Sequence, residues 1–125
     1  MSLSLFVAGV AALMGVGIIV VGAQYLLAPE ATAATFGLPV RPDGSGLAWL
    51  NVKGIRDVVS GLVILPLLVS GQFELLGWCL LIAALTPIGD ALIVLRHGGS
   101  KALAYGVHAA TAATLVVLAA LLLLA

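Results

Sequence analysis

Apolar residues run almost unbroken along this chain, in four blocks separated by one long and two short polar interruptions. A helix needs about 20 mainly apolar residues to cross about 30 Å of hydrocarbon, and all four blocks meet that length. The first extends from about Leu3 to Leu27 and carries no charge. The second, about Leu47 to Val69, contains Lys53, Arg56 and Asp57. The third, about Phe73 to Leu95, has Glu74 near its start and Asp90 near its end. The fourth, about Lys101 to Ala125, closes on an Ala/Leu/Val tract.

The long interruption runs from Pro29 to Gly46. Proline suits the first turn of a helix and an acid complements the dipole there, so Pro29-Glu30 marks a helix start. Gly37 reads as its stop, followed by Pro39, Pro42 and the Asp43-Gly44 turn signal. This predicts a short interfacial helix and then an extended segment. The other links, Ser70-Gly71-Gln72 and Arg96 to Ser100, are short and force antiparallel neighbours. Pro66 and Pro87 fall inside helices two and three and are expected to kink them. Gly9, Gly15, Gly17 and Gly22 in helix one, with Gly54 and Gly61 in helix two, permit close helix approach without naming a dimer face. The pattern predicts an all-α fold. Residues 1–125 form one integral membrane four-helix bundle, with a short interfacial helix between helices one and two.

Composition agrees with that reading. Of 125 residues, 63% are hydrophobic and 8% charged, against roughly 25% charged in a soluble domain. So few charges cannot clothe a water-exposed surface, whereas a lipid-facing one needs none. The net charge of zero gives no sign of a nucleic-acid partner. The single Cys79 excludes an internal disulfide and a Cys-rich metal cluster, and reads as packing. The first block lacks a basic leader and a clean cleavage site, and its apolar run exceeds the usual length of about 7–15 residues, so it reads as a retained helix.

Threading four helices back and forth gathers the polar residues at one side. Arg41, Lys53, Arg56, Arg96 and Lys101 all fall there or dip inward from it, while Glu74 is the only charge opposite. Basic flanks stay cytoplasmic, which places both termini outside a plasma (inner) membrane. With a rise of about 1.5 Å per residue, Asp57 lies about 15 Å deep, and Asp90 and His108 about 8–10 Å deep. A central charge costs about 2.5–3.5 kcal/mol on insertion scales, so such residues must face protein or water and be paired. Helical phase puts Lys53, Arg56, Asp57 and Ser60 on one stripe of helix two. Thr86, Asp90 and His97 share a stripe on helix three, as do Lys101, Tyr105, His108 and Thr111 on helix four. Three such stripes facing one axis would line a half-membrane pocket.

Arg56 and Asp57 are adjacent and cannot pair along the helix, so Arg56 is expected to reach Asp90, leaving Asp57 to Lys53 or His108. Asn51 points to the other side, toward helix one and Gln24. Trp49 and Tyr105 sit at the level of interfacial anchors. His97 and His108, both near one leaflet, make a poor axial haem pair, and no ligand set suggests zinc. No phosphate loop, dinucleotide fingerprint or nucleophile elbow occurs, so no cofactor is expected.

At Phe36-Gly37-Leu38-Pro39, Asn51 to Asp57, Gly61-Leu62 and Pro87 to Ala91, the chain resembles a family of small bacterial and fungal membrane proteins, domain of unknown function 4267. His97-Gly98-Gly99 and His108 extend the resemblance over almost the whole chain, and Gly54-Ile55-Arg56-Asp57 with Gly89-Asp90 are its most telling parts. The resemblance implies a four-helix membrane protein and no particular activity. The chain also loosely resembles the DoxX-like four-helix proteins, some with redox connections, but carries no redox cysteine pair.

Three functions fit these residues. The first is cofactor-independent acid–base catalysis (isomerase, cyclase or epoxide opening) on a lipophilic small molecule. Asp57 and Asp90 would share acid and base roles, Arg56 would tune them, and His108 would orient substrate, with Asn51, Lys53, Thr86, His97 and Tyr105 as ligand contacts. The second is a binding or transport module like the small four-helix exporters, although their first-helix acid has no counterpart here. The third is a structural accessory subunit whose polar network only specifies packing. Expected partners are the bilayer, a lipophilic small molecule, and further copies of the chain in a homodimer or higher homo-oligomer.

Overall fold

Two helices of matching length begin the chain and pack against each other more extensively than any other pair. Helix α1 spans Leu3–Leu27, capped by Ser2, whose hydroxyl accepts from the Leu5 N–H at 3.3 Å. Helix α3 spans Leu47–Val69. Their seam is built on glycines seven residues apart on each helix, Gly15 and Gly22 against Gly54 and Gly61. A methyl group added at Gly22 would sit 2.5 Å from the Gly54 carbonyl oxygen, and one added at Gly54 would sit 2.6 Å from that of Gly22. One at Gly61 would strike the Gly15 carbonyl. Gly22 therefore faces Gly54 and Gly15 faces Gly61, the register of an antiparallel pair. Backbone-to-backbone contact of this kind maximises dispersion where burial from water supplies no drive between helices.

The computed structural model describes residues 2–125. Between α1 and α3, helix α2 (Pro29–Ala33) starts on its proline as the sequence predicts. An extended stretch and a 3₁₀ turn at Gly44–Gly46 then deliver the chain to α3. Helices α4 (Phe73–Ala83) and α5 (Leu85–Arg96) run on as one 24-residue rod. Its break at Ala84 lies three residues before Pro87, which has no N–H to continue the ladder. Pro66, by contrast, is carried inside α3, which runs through it uninterrupted. The last rod, Lys101–Leu123, is composite: α6 (Lys101–Leu103), a π-helical segment Ala104–Ala109, and α7 (Ala110–Leu123).

Both short links close in the same way. Gly71 (φ 71°) and Gly98 (φ 70°) adopt the left-handed conformation that a side chain disfavours. At the first, Gln72 N–H donates to Leu67 O at 3.0 Å and Gly71 N–H to Leu68 O at 3.1 Å; at the second, Gly99 N–H donates to Val94 O at 2.8 Å and Gly98 N–H to Leu95 O at 3.2 Å. These are the paired end-bonds of a Schellman stop.

Among the described residues there is no strand. Three helices are long and apolar enough to cross a membrane: Leu3–Leu27, Phe73–Arg96 and Lys101–Leu123. Helix α3 matches them in length but carries three charges. Large apolar side chains such as Leu13, Trp49, Leu85 and Val117 are exposed around the bundle, the surface of a protein solvated by lipid. The chain is a small helical membrane protein.

The two ends of the bundle differ in kind. At one end Val7, Ala11, Ile64, Leu76, Leu80, Leu115, Leu118 and Ala119 form a purely apolar core. At the other, the ends of α1 and α5 and the starts of α3 and α6 come together beneath the α2 connection. Three bonds mark the convergence. Asn51 Nδ2 donates to Tyr25 O at 2.9 Å, Ser100 N–H to Gly37 O at 2.8 Å, and His108 Nε2 lies 2.6 Å from Phe36 O.

Candidate functional site

Tyr25 anchors the polar end. It is 2% exposed, and its backbone carbonyl, satisfied by Asn51, ties α3 to the last turns of α1. Lys53, two residues along α3, swings across the Tyr25 ring with its ammonium 4.1 Å from the centroid. The same nitrogen lies 2.6 Å from Asp57 Oδ2 and 5.4 Å from the Phe36 centroid. Two aromatic faces and one carboxylate therefore share a single cation. Such contacts strengthen where water is excluded.

Phe36 is held in turn by helix four. Its ring sits 4.5 Å from the His108 ring at a 52° tilt, and its carbonyl oxygen meets His108 Nε2. A carbonyl can only accept, so Nε2 carries the proton and donates. The π-helical segment that presents His108 is the kind of local widening that membrane and soluble helices use to re-aim a side chain.

Asp90 completes the cluster from α5. It is half-buried and within electrostatic reach of His108, Lys53 and Asp57. Among the described residues its carboxylate takes no hydrogen bond and no ion pair, since the single ion pair is Lys53–Asp57. The Tyr25 hydroxyl, within reach of both aspartates, is likewise without a protein partner. Among the described residues, no sealed side-chain N or O atom lacks a partner, so both groups touch the outside.

The structure thus brings Lys53, Asp57, Asp90 and His108 together, with Asn51 beside them. It turns the other expected residues outward. Arg56, Thr86, His97 and Tyr105 are exposed. Arg56 makes no ion pair and does not reach Asp90, so the expected Arg56–Asp90 bridge gives way to the Lys53–Asp57 one. Successive helical residues differ by about 100°, so Arg56 and Asp57 cannot both face inward. The buried face of α3 passes through Gly54, Asp57, Gly61 and Ile64, and its glycines fix the rotation. On α5 the buried face runs through Pro87, Ala91 and Val94. Asp90 lies on its shoulder, with Thr86 and His97 further round. On helix four the π segment sweeps fewer degrees per residue than an α turn, which rotates Tyr105 away from the stripe of His108. His97 closes onto its own helix, Nδ1 2.9 Å from Ile93 O.

Neither of two surface grooves is the expected three-walled pocket. One groove of about 560 Å³ is lined by Pro29, Glu30, Arg41 and Leu47, among others. Another of about 310 Å³ is lined by Leu26, Asn51, Val52, Ile55 and Arg56. Neither is lined by Asp57, Asp90 or His108. Among the described residues no three His, Cys, Asp or Glu side chains are grouped to hold a metal ion. Sequence reasoning missed both Tyr25 and Phe36. Tyr25 had a signal, as the one ionisable aromatic in an uncharged helix; Phe36 had none beyond its place before Gly37.

A family model described as "Domain of unknown function (DUF4267)" matches residues 15–122. No curated protein and no solved structure matches the chain.

Proposed function

We propose, from the premise that this chain belongs to the DUF4267 family, that its polar end is an acid–base centre acting on a lipophilic small molecule. Helix α3 is then a fourth membrane span, its charges tolerated because Lys53 and Asp57 neutralise each other against aromatic faces. In this reading the polar end faces the cytoplasm, where the positive-inside rule puts basic flanks.

One observation carries the reading: Asp90 alone in the cluster keeps its carboxylate free of protein partners while remaining reachable. A positioned carboxylate can take a proton from a substrate or return one. Lys53, held against the Tyr25 ring, and the donating His108 set the field around it. Proton abstraction, ring closure and epoxide opening all use these parts. The substrate reaches Asp90 from the flank of α5, where Thr86 lies exposed beside it.

The test pairs purified protein in nanodiscs with a lipid extract of its expression host, followed by mass spectrometry. Conversion of one lipophilic species by the wild type should fall by about 10²–10⁴-fold in Asp90→Asn, the range of a lost acid–base group. Thr114→Val, exposed on α7 away from the cluster, should leave it unchanged. Equal conversion by Asp90→Asn would remove the reading.

A second reading is structural, favoured by the His108 bond to Phe36 O, which fastens a loop and uses no substrate. An apolar variant (K53M, D57L and D90L together) that folds and complements a deletion strain would establish it over the first.

A further inference from the structure

Helix α1 packs closely on α3, and α5 packs closely on the π segment of helix four. Between these two pairs the polar end is open-backed. Among the described residues, no Cα atom of α1 or α3 lies within 8 Å of one in α5 or in the π segment. Helices packed side by side, with axes about 8–10 Å apart, bring facing Cα atoms nearer than that. At the apolar end the pairs do meet, α1 on α7 and α3 on α4, around Val7, Ala11, Ile64, Leu76, Leu80 and Leu115. The molecule is therefore two helical hairpins joined at one end and splayed at the other.

One segment bridges the splay. Residues 34–40 lead from α2 across to the second hairpin, where Gly37 O accepts from Ser100 N–H at 2.8 Å and Phe36 O from His108 Nε2 at 2.6 Å. Apart from the link at 70–72, these are the only hydrogen bonds between the two hairpins among the described residues. The Phe36 ring reaches both sides, its centroid 4.5 Å from that of His108 and 5.4 Å from the Lys53 ammonium.

The strap is seated by backbone. Gly37 lies at φ 110°, and a methyl group added at Gly99 would strike the Gly37 carbonyl. Thr35, Pro39 and Val40 are exposed, so few side chains hold the segment down. Two hydrogen bonds, one ring and little apolar burial are the profile of a segment that opens locally. The residues it fastens together matter, because Lys53 pairs with Asp57 on the first hairpin while His108 belongs to the second. Asp57 and His108 are both buried.

We propose that residues 34–40 are a latch. Its release lets the hairpins part at the polar end, hinging on the apolar core, so that Asp57, Asp90 and His108 come to line one open cleft. The latch rests on no acid–base chemistry at Asp90.

Double electron–electron resonance in nanodiscs tests it, with nitroxide pairs placed in a Cys79→Ser background. Ala48→Cys with Arg96→Cys reports the polar end, and Leu5→Cys with Ala120→Cys the apolar end; all four positions are exposed. Phe36→Ala should lengthen the polar-end distance by roughly 5 Å, one helical pitch, and leave the apolar-end distance unchanged. His108→Ala, which removes the other hold, should do the same. The unsubstituted chain should show the longer polar-end distance as a minor population. Its complete absence there would mean that the strap stays shut, and would overturn the latch. Unchanged distances in both variants would overturn it too, and equal lengthening at the two ends would overturn the hinge. Asp90→Asn should move neither distance whatever it does to turnover, so the latch and the acid–base reading fail separately.

Discussion

The two ends of this bundle are held by different physics. At the apolar end, Leu76 and Leu80 are fully buried among Val7, Ala11, Ile64, Leu115 and Leu118, with no polar atom involved. Packing there is non-directional and can be refilled by another side chain of similar volume. At the polar end, each contact has a direction and a named partner: Asn51 to Tyr25 O, Lys53 to Asp57, His108 to Phe36 O. Loss of one partner strands the other. The glycine seam between α1 and α3 joins the two regimes, since Gly22–Gly54 lies toward the polar end and Gly15–Gly61 nearer the apolar one. The lesson is that a membrane protein can separate tolerance from specificity along its axis, with substitutable packing in one half and fixed partners in the other.

The sharpest way to break both ends at once is the seam itself. Gly22→Leu should cost more than about 3 kcal/mol, above the usual overpacking range. The clash is with backbone of α3, the Gly54 carbonyl and the Val58 nitrogen, rather than with a flexible side-chain tip. Loss of a monodisperse peak in detergent gel filtration is the readout. Next, Leu80→Ala should cost about 2 kcal/mol, below many soluble cores. The cavity part remains, but the reference state is lipid and not water. A thermal melt in detergent measures it, and recovery by Leu80→Met would show that volume is what matters.

The polar end should respond differently. His108→Ala should cost about 1–3 kcal/mol, the range for stranding a buried acceptor, and the damage should be local. Hydrogen exchange at 34–40 should rise while the α4–α7 amides stay protected. Uniform loss of protection would mean that the two ends are one cooperative unit. The smallest effect is expected at Thr86→Val, within about 0.5 kcal/mol, since that exposed hydroxyl lies off the buried face.

Much of this architecture is legible in the chain. The apolar blocks, the Pro29 start and the short links around Gly71 and Gly98 place the helices within a few residues. Short links then bring Asn51, Lys53, Asp57, Asp90 and His108 to one end. Helical rotation was the harder quantity. A stripe through Lys53, Arg56, Asp57 and Ser60 turns both Arg56 and Asp57 inward, but the backbone contact at Gly54 and Gly61 rotates α3 so that Asp57 faces in and Arg56 faces out. Polar spacing cannot reveal that. Glycine spacing can, because seven-residue steps on both helices mark a shared face. The outward turn of Tyr105 has a different cause, a wider helical turn whose presence no residue type announces.

That wider turn has a consequence of its own. A π segment accommodates one residue more than the α-helix it interrupts, so helix four contains a surplus position between Ala104 and Ala109. Excising a single residue there would leave an unbroken α-helix. Winding the segment into α-helix with all its residues kept would instead swing everything upstream by about 100°, pulling Ser100 from its clasp on Gly37. The surplus acts as a fixed gear offset, setting the phase of the Lys101 end independently of the Leu123 end.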